Sequence, residues 1–421
     1  VPIRQTDPRS ASPTGPGTPV PASPVTGRLA EGGATVEEEL FEQDEPQEIL
    51  VRSGFTPVVD RFALELCSAS DMDDARRIVE RHGGALWRKA VNRVQEVGHV
   101  SGDLSAGDDR PLYWARLGMT SALNRWEPAF KIDAAERAEL VTELERRSRG
   151  QSDPGFPETA GKPEAARVVV TGFDPFGLDK DIRRANPSGA AALALDGAVI
   201  ETGDGVAVVR AMLFPVRWRD FTDGMVERAL LPDYTGGRPA AAVITVSQGR
   251  DGQFDLEAHN GAWRGGSEDN EAVGPEEMIP VPGGFPTVTP QPQWSDSSLN
   301  RSAVVAETTR KPFPVVDNTE VTEIPAGGTT PVVRPDGPTP GSRARAGGGG
   351  DYLSNEIAYR NTLLRDATGR DIPAGHVHTP ILHLGSECDI TDPAFEKDRA
   401  TIVDQVRNIV AAVVRTSGPT G

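Results

Sequence analysis

The apolar positions of this chain change period near its middle. Between residues 50 and 150 they recur at three- and four-residue spacings, the signature of amphipathic helices. Ala75, Ile78 and Val79 follow an acidic helix start at Asp71, Asp73 and Asp74, and Gly83-Gly84 predicts the end of that helix. Trp87, Val91 and Val94 predict a second helix, and Leu112, Trp114, Leu117 and Leu123 a third. Asp133 and Glu136 have capping-box spacing before Leu140, Val141 and Leu144, and Gly150 closes that stripe. His82 and His99 read as surface residues. After residue 165 the period switches. Strands are expected at 167–172, 206–213, 240–246 and 376–382, and helices at 187–195, 219–231, from 351, and at 393–415. Asn186 and Pro187 have N-cap and first-turn chemistry. Alternating strands and helices predict an α/β fold, a three-layer sandwich with a mostly parallel sheet, preceded by a small all-α domain. Sites in such sheets lie at the carboxyl ends of the strands.

Composition decides where regular structure stops. Residues 1–26 hold seven prolines, and residues 1–48 carry nine acidic against three basic side chains. Such a segment cannot offset its ordering entropy by burial, so residues 1–48 read as a disordered tail. The expected order is therefore tail 1–48, helical domain 49–150, linker 151–165 and α/β domain 166–416. A long Pro/Gly-rich insertion is expected near 265–350; residues 275–340 alone contain 13 prolines, and regularity is expected to fail there. The chain starts at Val1 and the tail follows, from which secretion is the expectation. In an oxidising compartment Cys67 and Cys388 could pair.

Charge narrows the partners. With 44 basic and 62 acidic residues the formal net charge is −18, which argues against a nucleic-acid binder or an anionic-membrane binder. The sequence has no apolar run of about 18 residues, the length of a transmembrane helix. Two cysteines exclude a structural zinc cluster built from thiolates.

Four segments can carry chemistry. Thr171-Gly172-Phe173-Asp174-Pro175-Phe176-Gly177 follows a strand directly, so Phe173 and Phe176 can wall a common cavity or staple a turn into the core. Gln248 to Asn260 follows the third strand and contains Glu257, either solvated or the orienting member of a triad. Ser354 stands where a glycine-rich loop enters a helix, beside Tyr352 and Leu353. Helix amides would stabilise an oxyanion there, but serine is also a common cap. His376 and His378 alternate onto one strand face, where one can act as a general base; with His383 they are also weighed as a metal site, and no metal or other cofactor is expected.

Taken in chain order, these segments resemble the pyroglutamyl peptidase I family of cysteine peptidases, which remove an N-terminal pyroglutamate. The resemblance spans about 167–264 and 351–415, and TGFDPFG followed by Asn186-Pro187-Ser188 is its specific part. It implies that Phe173 and Phe176 grip the pyrrolidone ring with Tyr352 and Leu353. It implies that Asn186 bonds near the scissile link, that Gln248 matches a substrate-binding Gln, that His378 is the catalytic base and that Glu257 orients it. Ser354 occupies the position of the family's nucleophilic cysteine. A thiolate can pre-ionise beside an imidazolium; a serine needs concerted proton removal. The set Ser354, His378 and Glu257 therefore reads as a Ser-His-Glu hydrolase acting on peptides with a blocked N-terminus. The alternatives are a pseudoenzyme that binds capped peptide ends, and a metal-dependent hydrolase built on His376 and His378.

Overall fold

The computed structural model describes residues 34–152, 165–202, 205–385 and 388–417. Most of the expected disordered tail, residues 1–33, and of the linker, residues 153–164, lies outside the described residues. The helical half comprises α1 (Val36–Leu40), α2 (Asp44–Ser53), α3 (Thr56–Cys67), α4 (Met72–Val94), α5 (Arg110–Arg125) and α6 (Ala134–Ser148). The second half begins with β1 (Ala166–Phe173), α7 (Pro187–Leu195), β2 (Val199–Glu201), β3 (Val206–Phe214), α8 (Trp218–Thr222), α9 (Met225–Thr235), β4 (Ala242–Gln248) and β5 (Phe254–Glu257). Short strands β6 (His259–Gly261), β7 (Trp263–Gly265), β8 (Glu276–Met278) and β9 (Trp294–Asp296) follow. Then come α10 (Arg301–Thr308), β10 (Val315–Asn318), β11 (Val321–Ile324), β12 (Val332–Arg334), β13 (Arg343–Ala346), α11 (Leu353–Thr368), β14 (Ala374–Thr379) and α12 (Pro393–Thr416).

The protein is an α/β molecule with a mostly parallel central sheet and an N-terminal helical region. Seven strands run in the order β10-β5-β14-β4-β1-β3-β2. The pairs β1–β3, β1–β4, β4–β14 and β5–β10 are parallel; β5–β14 and β2–β3 are antiparallel. One face packs Val169, Phe173, Met212, Phe214 and Val243 against α9 and α11. The other packs Val168, Val170, Val209 and Ile244 against α7 and α12. The strands are buried on both faces and read as continuous Val/Ile runs for that reason. The helical half does not form a separate ball. Its core continues into Ala192 and Leu193 of α7 and into Ala211 and Leu213 of β3.

Several expectations need correction. Residues 36–40 and 44–48 are helical, not a disordered tail: Thr35 and Glu38 form a capping box on α1, and Glu37 and Glu38 are both 2% exposed. Glu37 is tolerated inside because Tyr113, Arg217 and Asn270 bond to it. The Gly83-Gly84 pair does not stop a helix; α4 runs through it, joining the two expected helices. Gly83 is there for clearance, since a Cβ would stand 2.7 Å from Arg147 Cβ on α6. His82 is buried and bonded to Glu65. The expected helix at 219–231 is broken by Gly224 at φ 79°, and β14 stops at Thr379. The Pro-rich insertion is ordered: α10 and β8 to β12 lie in 275–340, and Trp294 is tied to Ser342. Cys67 and Cys388 are free and exposed.

Gly83→Ala should lower stability by up to about 2 kcal/mol, because overpacking costs about 1–3 kcal/mol against a helix-propensity gain of about 1. Urea unfolding reads this directly; a more stable variant would show that α4 and α6 are not in close contact.

Candidate active site

The site is built from one row of side chains. In the parallel register Thr171, Thr245 and His376 lie side by side across β1, β4 and β14, and Ser247 pairs with His378 two residues further on. Val169 and Val243, at alternate positions, belong to the core under α11, so His376, His378 and Ser247 all face that layer. The antiparallel strand β5 then sets Glu257 opposite His376. His378 Nδ1 donates to Glu257 Oε1 at 2.6 Å, and Asn318 Nδ2 donates to Glu257 Oε2 at 2.7 Å. Glu257 is 0% exposed, so the pair is anchored in the sheet and only the far side of the imidazole, with Nε2, is left to act.

Glycines make room for it. A Cβ at Gly249 would stand 2.6 Å from His378 Cβ, and one at Gly348 would overlap Glu257 Oε2. The 347–350 loop threads between this pair and the start of α11: a Cβ at Gly349 would be 3.2 Å from His378 Cε1 and 3.4 Å from the Asn355 amide nitrogen. Asn355 fastens the helix start by exchanging hydrogen bonds with both backbone groups of Gly261, at 2.7 and 2.9 Å.

Ser354 is the second residue of α11 and half-buried. It does not cap the helix; the N-cap is Tyr352, whose side chain makes no hydrogen bond to the helix start. The first intrahelical bond runs from Glu356 N to Tyr352 O, and among the described residues the amides ahead of it have no hydrogen-bond partner, so they are open to a ligand anion. Ser354 lines a small cavity with Phe173, Phe176, Asn186, Gln248, Tyr352 and Leu353. The six residues expected to bind substrate thus meet around Ser354, joined by Val216 and Ser247. His378 and Glu257 meet each other. Among the described residues no hydrogen bond joins Ser354 Oγ to His378. Catalytic hydrogen bonds often tighten only when substrate binds.

The aromatic wall is packed from behind. Phe173 stacks on Phe221, and Tyr352 lies between Phe176 and the edge of Trp218. Asn186 braces the turn: its Nδ2 donates to the Asp174 carbonyl at 2.9 Å and its Oδ1 accepts from the Ser188 amide and hydroxyl. His376 spends both ring nitrogens on hydroxyls, Nδ1 with Thr245 at 2.7 Å and Nε2 with Ser247 at 2.8 Å. Burial, and then the neighbouring His378, pushes its imidazole well below the usual range. His383 is exposed and pairs with Asp251, so the three histidines do not converge on a metal position.

Sequence reasoning missed the foundation of the pocket. Asp174, inside the aromatic turn, is 1% exposed and receives Arg116 Nη1 at 3.0 Å and Arg149 Nη1 at 2.7 Å, both from the helical half. Asp109 accepts from the Asn186 amide at 2.9 Å. Burial, and then Asp108, pushes the Asp109 carboxyl up to about 7. Glu145 bonds to Arg149 and Arg217; burial alone would raise it, but Arg149, Arg217 and Arg116 hold it well below the usual range. Asn270 ties Glu37 to the Pro175 carbonyl. The one sequence signal was Arg116, a charge set among apolar positions of α5. Beside this network Glu271 is 1% exposed, neither of its carboxyl oxygens has a hydrogen bond among the described residues, and Arg219 stands 3.8 Å away. Burial, and then Glu37, pushes it up to about 8.

Comparison with known proteins gives a family. A model described as the PA0049 N-terminal domain matches residues 21–145, and one described as the PA0049 C-terminal domain matches 167–297 and 276–383. The uncharacterized protein PA0049 of Pseudomonas aeruginosa is 33% identical, over 87% of this chain and 84% of its own length. Among solved structures, a mutant pyrrolidone carboxyl peptidase from Pyrococcus furiosus is 19% identical, covers 59% of this chain and 98% of its own, and superposes with a TM-score of 0.40. Pyroglutamyl peptidase I from Bacillus amyloliquefaciens is 21% identical, covers 61% and 100%, and scores 0.37.

Two outcomes follow from the buried charges. Arg149→Met leaves Asp174 with a single arginine and should cost about 3–5 kcal/mol, with amide-exchange protection lost first around the aromatic turn. Unchanged protection there would separate the arginines from the pocket. For Glu271, the unfolded chain ionises near 4.5 and the folded one near 8, so stability falls as pH rises between the two and levels off above. Glu271→Gln removes that loss; its melting temperature should gain on the wild type from pH 5 to 8 and then hold its lead.

Proposed function

The chain belongs to the PA0049 family, and on that premise we propose that it is a hydrolase of the pyroglutamyl peptidase type, with Ser354 as nucleophile, His378 as base and Glu257 as its orienting partner. The observation that carries this reading is the buried Glu257–His378 hydrogen bond, set beside an uncapped helix start that bears a serine in an aromatic cavity. Ser354 Oγ attacks the carbonyl of a blocked N-terminal residue while His378 Nε2 takes the hydroxyl proton. The developing oxyanion is met by first-turn amides of α11, whose dipole favours negative charge there. His378 then protonates the departing amine, and water releases the acyl group by the reverse sequence. Phe173, Phe176, Tyr352 and Leu353 receive the ring of the blocked residue; Gln248 and Asn186 border it.

A second reading is favoured by one observation, the lack of a hydrogen bond between Ser354 and His378. It is a binding protein for capped peptide ends, with the same pocket and no turnover. A fluorophosphonate probe on the purified protein, mapped by mass spectrometry, separates the two. Under the hydrolase reading the label is on Ser354 and pyroglutamyl amides are cleaved; Ser354→Ala abolishes both, and His378→Asn slows cleavage by about 10²–10⁴-fold. Tight binding of pyroglutamyl peptides with no label and no cleavage would sustain the binding reading instead.

A further inference from the structure

Ser247 stands where the ring pocket meets the base. It lies in β4 with His378 beside it in the parallel register. Extending the β1–β4 register two residues past Thr171 and Thr245 brings Phe173 to its other side. It is 3% exposed, yet it lines the same cavity as Ser354, Phe176 and Gln248. Its hydroxyl is held from within the sheet by His376 Nε2 at 2.8 Å.

The direction of that hydrogen bond can be worked out. His376 is fully buried between two hydroxyls, with no carboxylate bonded to it, and burial pushes its imidazole well below the usual range. It is neutral and carries one ring proton. Thr245 Oγ1 donates to the Gly375 carbonyl at 3.3 Å. Its lone pairs therefore accept from His376 Nδ1–H at 2.7 Å, and Nε2 is left as an acceptor. With this tautomer assigned from the network, Ser247 donates inward to Nε2. Its proton is spent, and its oxygen turns only lone pairs to the cavity.

We propose that Ser247 is a specificity-determining residue of this site, whose oxygen accepts the ring N–H of a lactam-capped ligand. This rests on the ring-binding reading given above. It assigns a use to the other histidine of the His376-Val377-His378 segment: His376 is a positioning residue that orients Ser247, while His378 serves the chemistry. A site that offers an acceptor to a buried N–H rejects a ligand of the same shape that lacks the donor.

The test uses the full chain with Ser354→Ala, to prevent turnover, and calorimetry with a matched pair of ligands. One is pyroglutamyl-alanine amide; the other is its carbocyclic analogue, with CH₂ in place of the ring N–H and the ring carbonyl kept. The expected result is a preference of about tenfold for the lactam, the worth of one hydrogen bond. Adding Ser247→Ala should bring the ratio to about one by weakening the lactam alone. Adding Ser247→Cys, which keeps the packing and is a poor acceptor, should do nearly the same. A tenfold preference that survives in whichever of these variants folds, or no preference in the Ser354→Ala chain itself, overturns the assignment. If neither ligand binds the Ser354→Ala chain, the ring-binding reading falls and Ser247 falls with it; that outcome is distinct from a bound lactam whose preference ignores Ser247.

Discussion

The Asp174 carboxylate lies 1% exposed between two guanidinium groups that come from another part of the chain. Taking such ions out of water costs several kcal/mol each, and attraction offsets this only when every remaining donor is used. Much of that requirement is filled: Arg116 gives further protons to the Ser148 hydroxyl and carbonyl, and Arg149 gives one to Glu145. The arrangement holds the two halves in one register, because a shift of either leaves a buried charge unpaired. It also holds Phe173 and Phe176, which flank Asp174 in the chain. The helical half therefore braces the aromatic turn from behind, and the two parts of the chain that match the family meet at Asp174.

Sheet topology does the rest of the assembly. Parallel pairing of β1, β4 and β14 sets the aromatic turn, Ser247 and His378 in a row at the strand ends. A parallel neighbour would have run in the same sense; β5 runs antiparallel to β14 and so brings Glu257 back under the histidines. The ordered insertion has a use in this light. It supplies Asn318, which fixes Glu257, and the glycine loop that passes between the base and the helix start.

Local chemistry was legible wherever a residue acts through its sequence neighbours. The Asp133–Glu136 box, the Asn186 cap and the buried strand runs are visible in the chain because their partners lie within a few residues or within one period. The cavity residues were legible through the resemblance, not through periodicity. What could not be read acts at long range. Gly83 looks like a stop because glycine weakens helices, whereas its missing Cβ is what α6 needs. The acidic run at Glu37 looks like a solvated tail because its partners Tyr113, Arg217 and Asn270 lie from 76 to 233 residues away. The same holds for Arg116, 58 residues from Asp174.

Under the hydrolase reading, a hydroxyl nucleophile in place of a thiol moves the burden within the site. A thiolate can stand ready near a helix start and wait for substrate, whereas a serine must meet Nε2 at the moment of attack. His378 cannot travel: Glu257 grips its Nδ1, Gly249 lies against its Cβ, and Gly349 borders its Cε1. The Ser354 side chain makes no hydrogen bond to the described residues, and it is half-buried at a helix start. Under the hydrolase reading, the adjustment from resting to reactive geometry therefore falls on Ser354 and not on the base.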